Sequence, residues 1–283
     1  MWPTPLLKLD IGPNVWAKLE FFNPFSRSIK DRTAYFLIKN EIEKGRNRFI
    51  EASSGNLALA LASLASIYKF EFTPFIPSTS SRFFKVALKI LGIRYVEYGN
   101  KTTEIVPLAK KYAELTEAAN LDQFTNERNP NAHFTTSARE ILEQLGSVGK
   151  FPERIFASVG TGGHITGLYR FFKQFDKKVE VVAVQPKEGS KIPGMKRIDE
   201  SGFAEVKSIQ KVIDVSEGEA LAGVQLIARR NGILVGLSAG ATVSAFLKIM
   251  DERTTVLIFP DDLFKYIDEV EKLLENEATS NSK

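Results

Sequence analysis

Lys30 lies in "NPFSRSIKDRTA" (residues 23–34), where an extended run gives way to a helical one. A helix N-terminus favours negative charge, so a lysine gains nothing from the dipole there. Most such lysines are solvated surface charges. An ε-amine becomes chemically useful when it is desolvated or condensed with a carbonyl. Two further stretches carry chemistry. In "SVGTGGHITGL" (158–168), Gly160, Gly162 and Gly163 follow an apolar run and open a helical one. Glycines at a helix start let backbone N–H groups converge on an anion, which makes a phosphate cradle; the plainer reading is a tight strand-to-helix turn. In "EASSGNLALALASLA" (51–65), Ser53, Ser54, Gly55 and Asn56 precede an Ala/Leu helix. Ser and Asn are ordinary N-caps. The same hydroxyls, amide and free N–H groups also form an uncharged receptor for a carboxylate.

The cradle does not read as a nucleotide site. The dinucleotide pattern needs a third glycine where Ile165 stands, and Glu180 begins its strand rather than ending it. The nucleotide P-loop needs a lysine where Leu168 follows Gly167. A phosphate without a nucleotide, a carboxylate and a reactive amine are together explained by pyridoxal phosphate, whose aldehyde suits Lys30 and whose chemistry acts on amino acids.

Short β-branched or aromatic runs alternate with helical ones. Strands are predicted at 14–20, 48–52, 72–77, 93–99, 154–159, 179–185, 232–236 and 255–260. Helices are predicted at 28–44, 56–68, 80–91, 101–119, 131–145, 164–175, 216–230, 239–250 and 261–275. The alternation implies an α/β fold with parallel pairing. Several strands are apolar throughout, as expected when helices cover both faces. This many elements implies two sheets, with a seam near "LDQFTNERNPN" (121–131). Ligands then belong beyond the carboxyl ends of the strands.

Composition narrows the function class. The chain has 283 residues, 43% hydrophobic and 25% charged, with a formal net charge of +4, an ordinary globular balance. Basic and acidic residues interleave, and no basic stripe with stacking groups points to nucleic acid. There is no cysteine and only His133 and His164 offer imidazole, so no metal site is expected. The N-terminus shows no signal-peptide pattern and no apolar run reaches membrane length, so a cytoplasmic protein with no membrane partner is expected.

Seven motifs in order, "TPLLKL", "KLEFFNPFSRSIKDR", "SSGNLALALA", "QFTNERNP", "GTGGHITG", "GILVGLSAGA" and "FPDDLFKY", span nearly the whole chain. Together they resemble the fold-type-II pyridoxal-phosphate enzymes, a tryptophan-synthase-β-like fold, and most closely the cysteine synthase family. The resemblance implies two αβα domains with twisted, mostly parallel sheets. Residues 24–125 would form a smaller, mobile substrate-carboxylate domain. Residues 1–23 and 126–283 would form the larger phosphate-binding domain, with the cofactor between them.

The resemblance also implies roles. Lys30 would be the imine-forming lysine and the shuttle for the substrate Cα proton. Gly160, Thr161, Gly162, Gly163 and His164 would hold the phosphate, His164 standing where the family usually has threonine. Asn56 would bond the phenolic oxygen of the cofactor. Ser53, Ser54, Gly55, Asn56, Leu57 and Gln123 would bind the substrate carboxylate, with Leu57 replacing the usual threonine. Asp262 stands where the family commonly places a serine near the ring nitrogen; it either favours the pyridinium or belongs to a solvent-facing acidic pair with Asp261 at a helix start. The implied reaction is β-replacement: an activated serine loses its β-substituent, and the resulting acceptor takes sulfide to give cysteine.

The serine ester is O-phosphoserine or O-acetylserine. Lys196 and Arg197 in "KIPGMKRIDESG" (191–202) resemble the basic loop of archaeal-type phosphoserine sulfhydrylases, and arginine suits phosphate. The plainer reading pairs them with Asp199 and Glu200 at the surface. O-phosphoserine is favoured. Serine or threonine dehydratase, a cystathionine-β-synthase-like enzyme and a catalytically inactive amino-acid sensor are the alternatives. Product analysis with and without sulfide separates them. A homodimer is expected from the resemblance.

Overall fold

The computed structural model describes residues 3–176 and 178–281. Its elements run β1 (Leu6–Lys8), β2 (Val15–Leu19), α1 (Lys30–Glu43), β3 (Arg48–Ala52), α2 (Asn56–Tyr68), β4 (Glu71–Ile76), α3 (Arg82–Ile90), β5 (Val96–Glu97), α4 (Thr102–Thr116) and β6 (Ala119–Asn120). They continue with α5 (Arg128–Thr135), α6 (Ser137–Gly146), β7 (Arg154–Ser158), α7 (Gly163–Phe175), β8 (Glu180–Pro186), β9 (Lys211–Val215), α8 (Glu217–Asn231), α9 (Leu237–Lys248), β10 (Thr255–Phe259) and α10 (Ile267–Asn281).

Two sheets form. One has the order β1-β2-β10-β7-β8-β9, parallel except for the antiparallel β1. The other, β5-β4-β3-β6, is parallel throughout. Side chains on a strand alternate between faces. In the larger sheet Phe156, Val182, Val184, Leu257 and Phe259 therefore pack against α8 and α9 on one face. Ile155, Ala157, Val181, Ala183, Val256 and Ile258 pack against α6 and α7 on the other. The smaller sheet does the same: Phe49 and Phe72 meet α1 and α2, while Ile50 and Phe75 meet α4. Helices on both faces explain why these strands read as continuous apolar runs.

Several expected elements differ. Residues 232–236 form no strand; Val235 makes only an isolated bridge to Asp262 between the tightly packed α8 and α9. The helix expected at 131–145 is two helices, broken at Thr136, whose backbone sits at φ −119°, ψ −81°. The helix expected from 261 begins as a 3-10 turn at Leu263–Tyr266 before α10. β1, β6 and β9 were not expected; two are very short, and β9 is a charged edge strand that buries only Ile213 and Val215.

A buried charge cluster anchors α1. Arg32 reaches Glu20 through Nε at 2.7 Å and Glu140 through Nη1 at 2.5 Å, and Lys18 Nζ lies 2.7 Å from Glu140. Thr4 joins them, its hydroxyl donating to Glu20 at 2.9 Å and its carbonyl accepting from Lys18 at 2.6 Å. Lys18, Glu20 and Arg32 are fully buried. Two cations and two carboxylates balance, which makes such burial tolerable. The cluster fixes the first turn of α1 against β2 and α6, two residues from Lys30.

Candidate active site

The parallel strands β3, β6, β7 and β8 deliver their following loops to one cavity of about 770 Å³. Lys30, Ser53–Leu57, Gln123, Gly160, Thr161, Lys196, Arg197 and Tyr266 line it. This is the place an open parallel sheet offers a ligand, and the volume suits a cofactor with a small amino acid.

Lys30 is the first residue of α1, and the backbone before it is held to the large sheet. Ser28 bridges Asp261, and the Ile29 N–H donates to the Pro260 carbonyl at 2.8 Å. Asp31 accepts hydrogen bonds from the Phe25 and Ser26 N–H groups at 2.7 and 2.8 Å, and Lys265 Nζ caps the Ser26 and Arg27 carbonyls. Asp31 thus answers the helix dipole, leaving Lys30 free for another task. Desolvation lowers the Lys30 pKa to about 8, against the opposing pull of the Glu51 carboxylate. The opening loop includes Arg27 at φ +50°, a left-handed conformation that these bonds hold in place.

In the second loop Ser53 behaves as a cap: its hydroxyl accepts from the Gly55 and Ala58 N–H groups at 3.3 and 3.2 Å. Ser54 uses its carbonyl to accept from the Ser80 hydroxyl at 3.0 Å. Asn56 donates Nδ2–H to Asp261 Oδ2 at 2.7 Å, and its Oδ1 is buried without a partner. The Leu57 side chain joins the apolar cluster under α2, so its departure from threonine leaves a core residue. Gln123 is buried and donates Nε2–H to the Ala52 carbonyl at 2.8 Å.

The glycine loop is sterically required. A Cβ on Gly160 would stand 2.6 Å from the Gly194 carbonyl oxygen, and Gly162 has φ +89°. Gly163 opens α7, whose first N–H groups have no intrahelical acceptor. Thr161 lines the cavity, whereas Gly162, Gly163 and His164 do not. The His164 ring packs edge-on to His133 with centroids 4.9 Å apart, and its Nε2 is buried without a partner. Burial lowers its pKa to about 3, so the ring is neutral at physiological pH.

The basic pair divides. Lys196 Nζ sits 4.8 Å over the Phe124 ring, and burial lowers its pKa. Arg197 donates Nη1–H to the Pro186 carbonyl at 2.9 Å and lies 3.6 Å from Asp214 and 3.9 Å from Asp199. Its side chain is thus engaged by the β8 loop as well as by the surface.

Of the two readings of Asp262, beside the ring nitrogen or facing water, the structure overturns the second. Asp262 is buried, 2.7 Å from Arg27 Nε and 3.9 Å from Lys265 Nζ. Nor does it line the main cavity; it borders a second one of about 530 Å³. Its neighbour Asp261 meets the site instead, through Asn56 and the Tyr266 hydroxyl. The antiparallel bridge from Val235 to Asp262 turns the two adjacent side chains to opposite sides.

Asn129, Asp261 and Tyr266 were missed as site residues. Asn129 Nδ2 donates to the Gln123 carbonyl at 2.8 Å and to Thr161 Oγ1 at 3.0 Å, tying the carboxylate and glycine loops together. A Cβ on Gly163 would fall 2.2 Å from the Asn129 amide carbon, so that glycine exists to admit Asn129. The motif "QFTNERNP" carries three amides, and its last, Asn129, is as buried as its first, Gln123.

The residues fit pyridoxal phosphate: a lysine of lowered pKa, a backbone cradle that side chains would fill, and a buried amide with an unsatisfied oxygen. Among the described residues no cluster of three or more His, Asp or Glu could hold a metal, and no helix is long and apolar enough to cross a membrane.

The chain is similar to known proteins in sequence and fold. The family model described as "Pyridoxal-phosphate dependent enzyme" matches residues 1–261. The chain is 35% identical to cysteine synthase B of Escherichia coli over 262 residues, covering 87% of this chain and 84% of that one. It is 31% identical to cystathionine beta-synthase of Apis mellifera, covering 93% of this chain but 58% of the longer relative. A crystal structure of O-ureido-L-serine synthase superposes with TM-score 0.83 at 26% identity, covering 93% of this chain and 90% of that one. The chain, with its fold-type-II architecture and its lysine-centred cavity, belongs to the pyridoxal-phosphate-dependent enzyme family.

Proposed function

We propose that this protein is a cysteine synthase that replaces the β-substituent of an activated L-serine, O-phosphoserine in preference to O-acetylserine, with sulfide. The observation that carries the reading is the meeting of Lys30, the Ser53–Asn56 loop, Gln123 and the Gly160–Thr161 turn around one cavity. The 35% identity to a cysteine synthase supports the reaction class.

Pyridoxal phosphate supplies an electron sink for the substrate Cα carbanion. Lys30 would hold the cofactor through its Nζ, and that amine, once free, would take the substrate Cα proton. A pKa near 8 keeps a useful fraction of that amine neutral at physiological pH. The N–H groups at the start of α7 would receive the cofactor phosphate, and Asn56 would face its ring oxygen. The start of α2, with Ser54 and Gln123 beside it, would receive the substrate carboxylate. Residues 24–125 would move as the smaller unit carrying that loop.

Lys196 supports the choice of ester. Of the Lys196–Arg197 pair its ammonium is the one not committed to a carbonyl, and it lines the cavity 4.8 Å over the Phe124 ring. The leaving phosphate is then met by Lys196, while Arg197 shapes the loop. A cytoplasmic homodimer belongs to the same proposal; exposed Phe22, Leu234 and Phe264 around the second cavity suit a second copy. The test is product analysis with each ester, with and without sulfide. Sulfide-dependent cysteine, faster from O-phosphoserine, supports the reading; pyruvate regardless of sulfide points to a dehydratase.

A further inference from the structure

Thr33 on α1, Asn129 and His133 on α5 and Ser137 on α6 are at most 1% exposed, and none of them lines the cavity. Their side chains form one hydrogen-bonded row. Ser137 Oγ lies 3.1 Å from His133 Nδ1, His133 Nε2 lies 3.1 Å from Thr33 Oγ1, and Thr33 Oγ1 lies 3.1 Å from Asn129 Oδ1. Asn129 Nδ2 continues the row to the Gln123 carbonyl at 2.8 Å and to Thr161 Oγ1 at 3.0 Å. The row is tightly seated between α5 and α7, where a Cβ on Gly167 would fall 2.3 Å from the Pro130 carbonyl oxygen and 2.8 Å from the His133 Cβ.

Donor and acceptor chemistry fixes every hydrogen in this row. A carbonyl oxygen only accepts, so the Asn129 atom facing Gln123 is the nitrogen and the atom facing Thr33 is the oxygen. The Thr33 hydroxyl spends its one hydrogen on Asn129 Oδ1. Its oxygen then accepts from His133, which requires the tautomer with hydrogen on Nε2. Burial keeps the ring neutral, which leaves Nδ1 to accept from the Ser137 hydroxyl. At the far end Thr161 Oγ1 accepts from Asn129 and, at 3.3 Å, from the Gly163 N–H. Both of its lone pairs are taken, so its own hydrogen is left to face the cavity that Thr161 lines. We propose that Thr33 and His133 are positioning residues: a one-way relay from Ser137 through His133, Thr33 and Asn129 sets the Thr161 hydroxyl as a donor into the cavity. Such a donor meets an anion without reorganising, and hydrogen bonds aligned in one direction strengthen one another.

This inference rests on the reading of the glycine turn as the cofactor phosphate site. The test has two arms on the full-length, cofactor-free chain. The first is a two-bond proton–nitrogen correlation spectrum of protein labelled with nitrogen-15 histidine, in which only His133 and His164 give signals; His133→Gln assigns the ring. The Nε2–H tautomer of His133 at neutral pH is the expected result, and the Nδ1–H tautomer overturns the relay. The second arm titrates pyridoxal phosphate into the unsubstituted chain, Thr33→Val and Thr33→Ser. Without the hydroxyl, Asn129 Oδ1 loses its donor and the amide turns away from Thr161. Thr33→Val is expected to bind the cofactor about three- to tenfold more weakly, the effect of one hydrogen bond, and to lose the preference of His133 for Nε2–H; Thr33→Ser restores both. Equal affinity in the unsubstituted chain and Thr33→Val overturns this inference alone. An unsubstituted chain that binds no pyridoxal phosphate overturns the reading of the turn and this inference with it. Should Thr33→Val not fold, the His133 tautomer of the unsubstituted chain decides.

Discussion

Asn56 Nδ2 donates to Asp261 Oδ2 at 2.7 Å, so the first residue of α2 is tied to the loop after β10. Tyr266 donates its hydroxyl to the same oxygen at 2.5 Å. One carboxylate thereby joins the small sheet to the large one beside the cavity. In Asp261→Ala, Asn56 and Tyr266 lose their shared acceptor and the amide is free to rotate. Pyridoxal phosphate affinity is expected to fall roughly tenfold, the worth of one charge-assisted hydrogen bond of about 1.5 kcal/mol. Absorbance titration of the cofactor-free chain measures it; unchanged affinity would mean that Asp261 does not position Asn56.

The cluster of Arg32, Glu20, Glu140 and Lys18 is expected to dominate the electrostatic stability. Arg32→Met leaves Glu20 buried and short of its guanidinium, costing about 3–5 kcal/mol in urea unfolding. Arg48→Ala, which removes an exposed pair with Glu71, should cost under about 1 kcal/mol. Arg32 and Lys18 hold the Glu20 and Glu140 pKa values below the usual carboxylate range. Their contribution is therefore complete only above the unfolded carboxylate value of 4.5 and is lost as pH falls toward and through the folded values. Unfolding midpoints measured across acid pH check this; a stability that is flat below pH 4 would contradict it.

Lys30 should weaken the cofactor-free fold. Its pKa falls from 10.5 unfolded to about 8 folded, so the unfolded chain binds the proton more tightly. The penalty is full below about 8 and fades as pH rises toward 10.5. Lys30→Met is thus expected to abolish β-replacement while raising the urea midpoint at neutral pH. A lower midpoint would show that the amine makes stabilising contacts in the fold.

The basic loop predicts a split between two adjacent residues. Lys196→Ala should raise KM for O-phosphoserine about tenfold, the effect of losing one partly buried charge contact, and leave O-acetylserine little changed. Arg197→Ala should affect both esters alike, because its guanidinium holds the Pro186 carbonyl. Steady-state kinetics with both esters check this, and a phosphoserine-specific defect in Arg197→Ala would reverse the assignment.

The parts of the site legible in the sequence were those whose chemistry is local. Lys30, the Ser53–Asn56 stretch and the glycine turn each sit on one short peptide with an unusual composition. Asp261 and Tyr266 were not legible as Asn56 partners, because that contact spans some two hundred residues and is made only when both sheets are in place. For the same reason Asp261 and Asp262 could not be told apart: which of two adjacent carboxylates faces the cavity depends on the bridge from Val235 to Asp262. The doubly covered strands were readable because burial on both faces leaves an apolar run. β9 was not, because Lys211 and Asp214 face solvent on an edge. The run 232–236 looked like a strand because Ile233, Leu234 and Val235 are a short apolar, β-branched run, although Val235 is packed between helices rather than paired in a sheet.

Borohydride reduction of the pyridoxal-phosphate-loaded protein, followed by peptide mass spectrometry, tests the central assignment most directly. A pyridoxyl group on the peptide containing Lys30, absent from Lys30→Met, is the predicted result. A pyridoxyl group on another lysine, or none on a fully loaded protein, would contradict it.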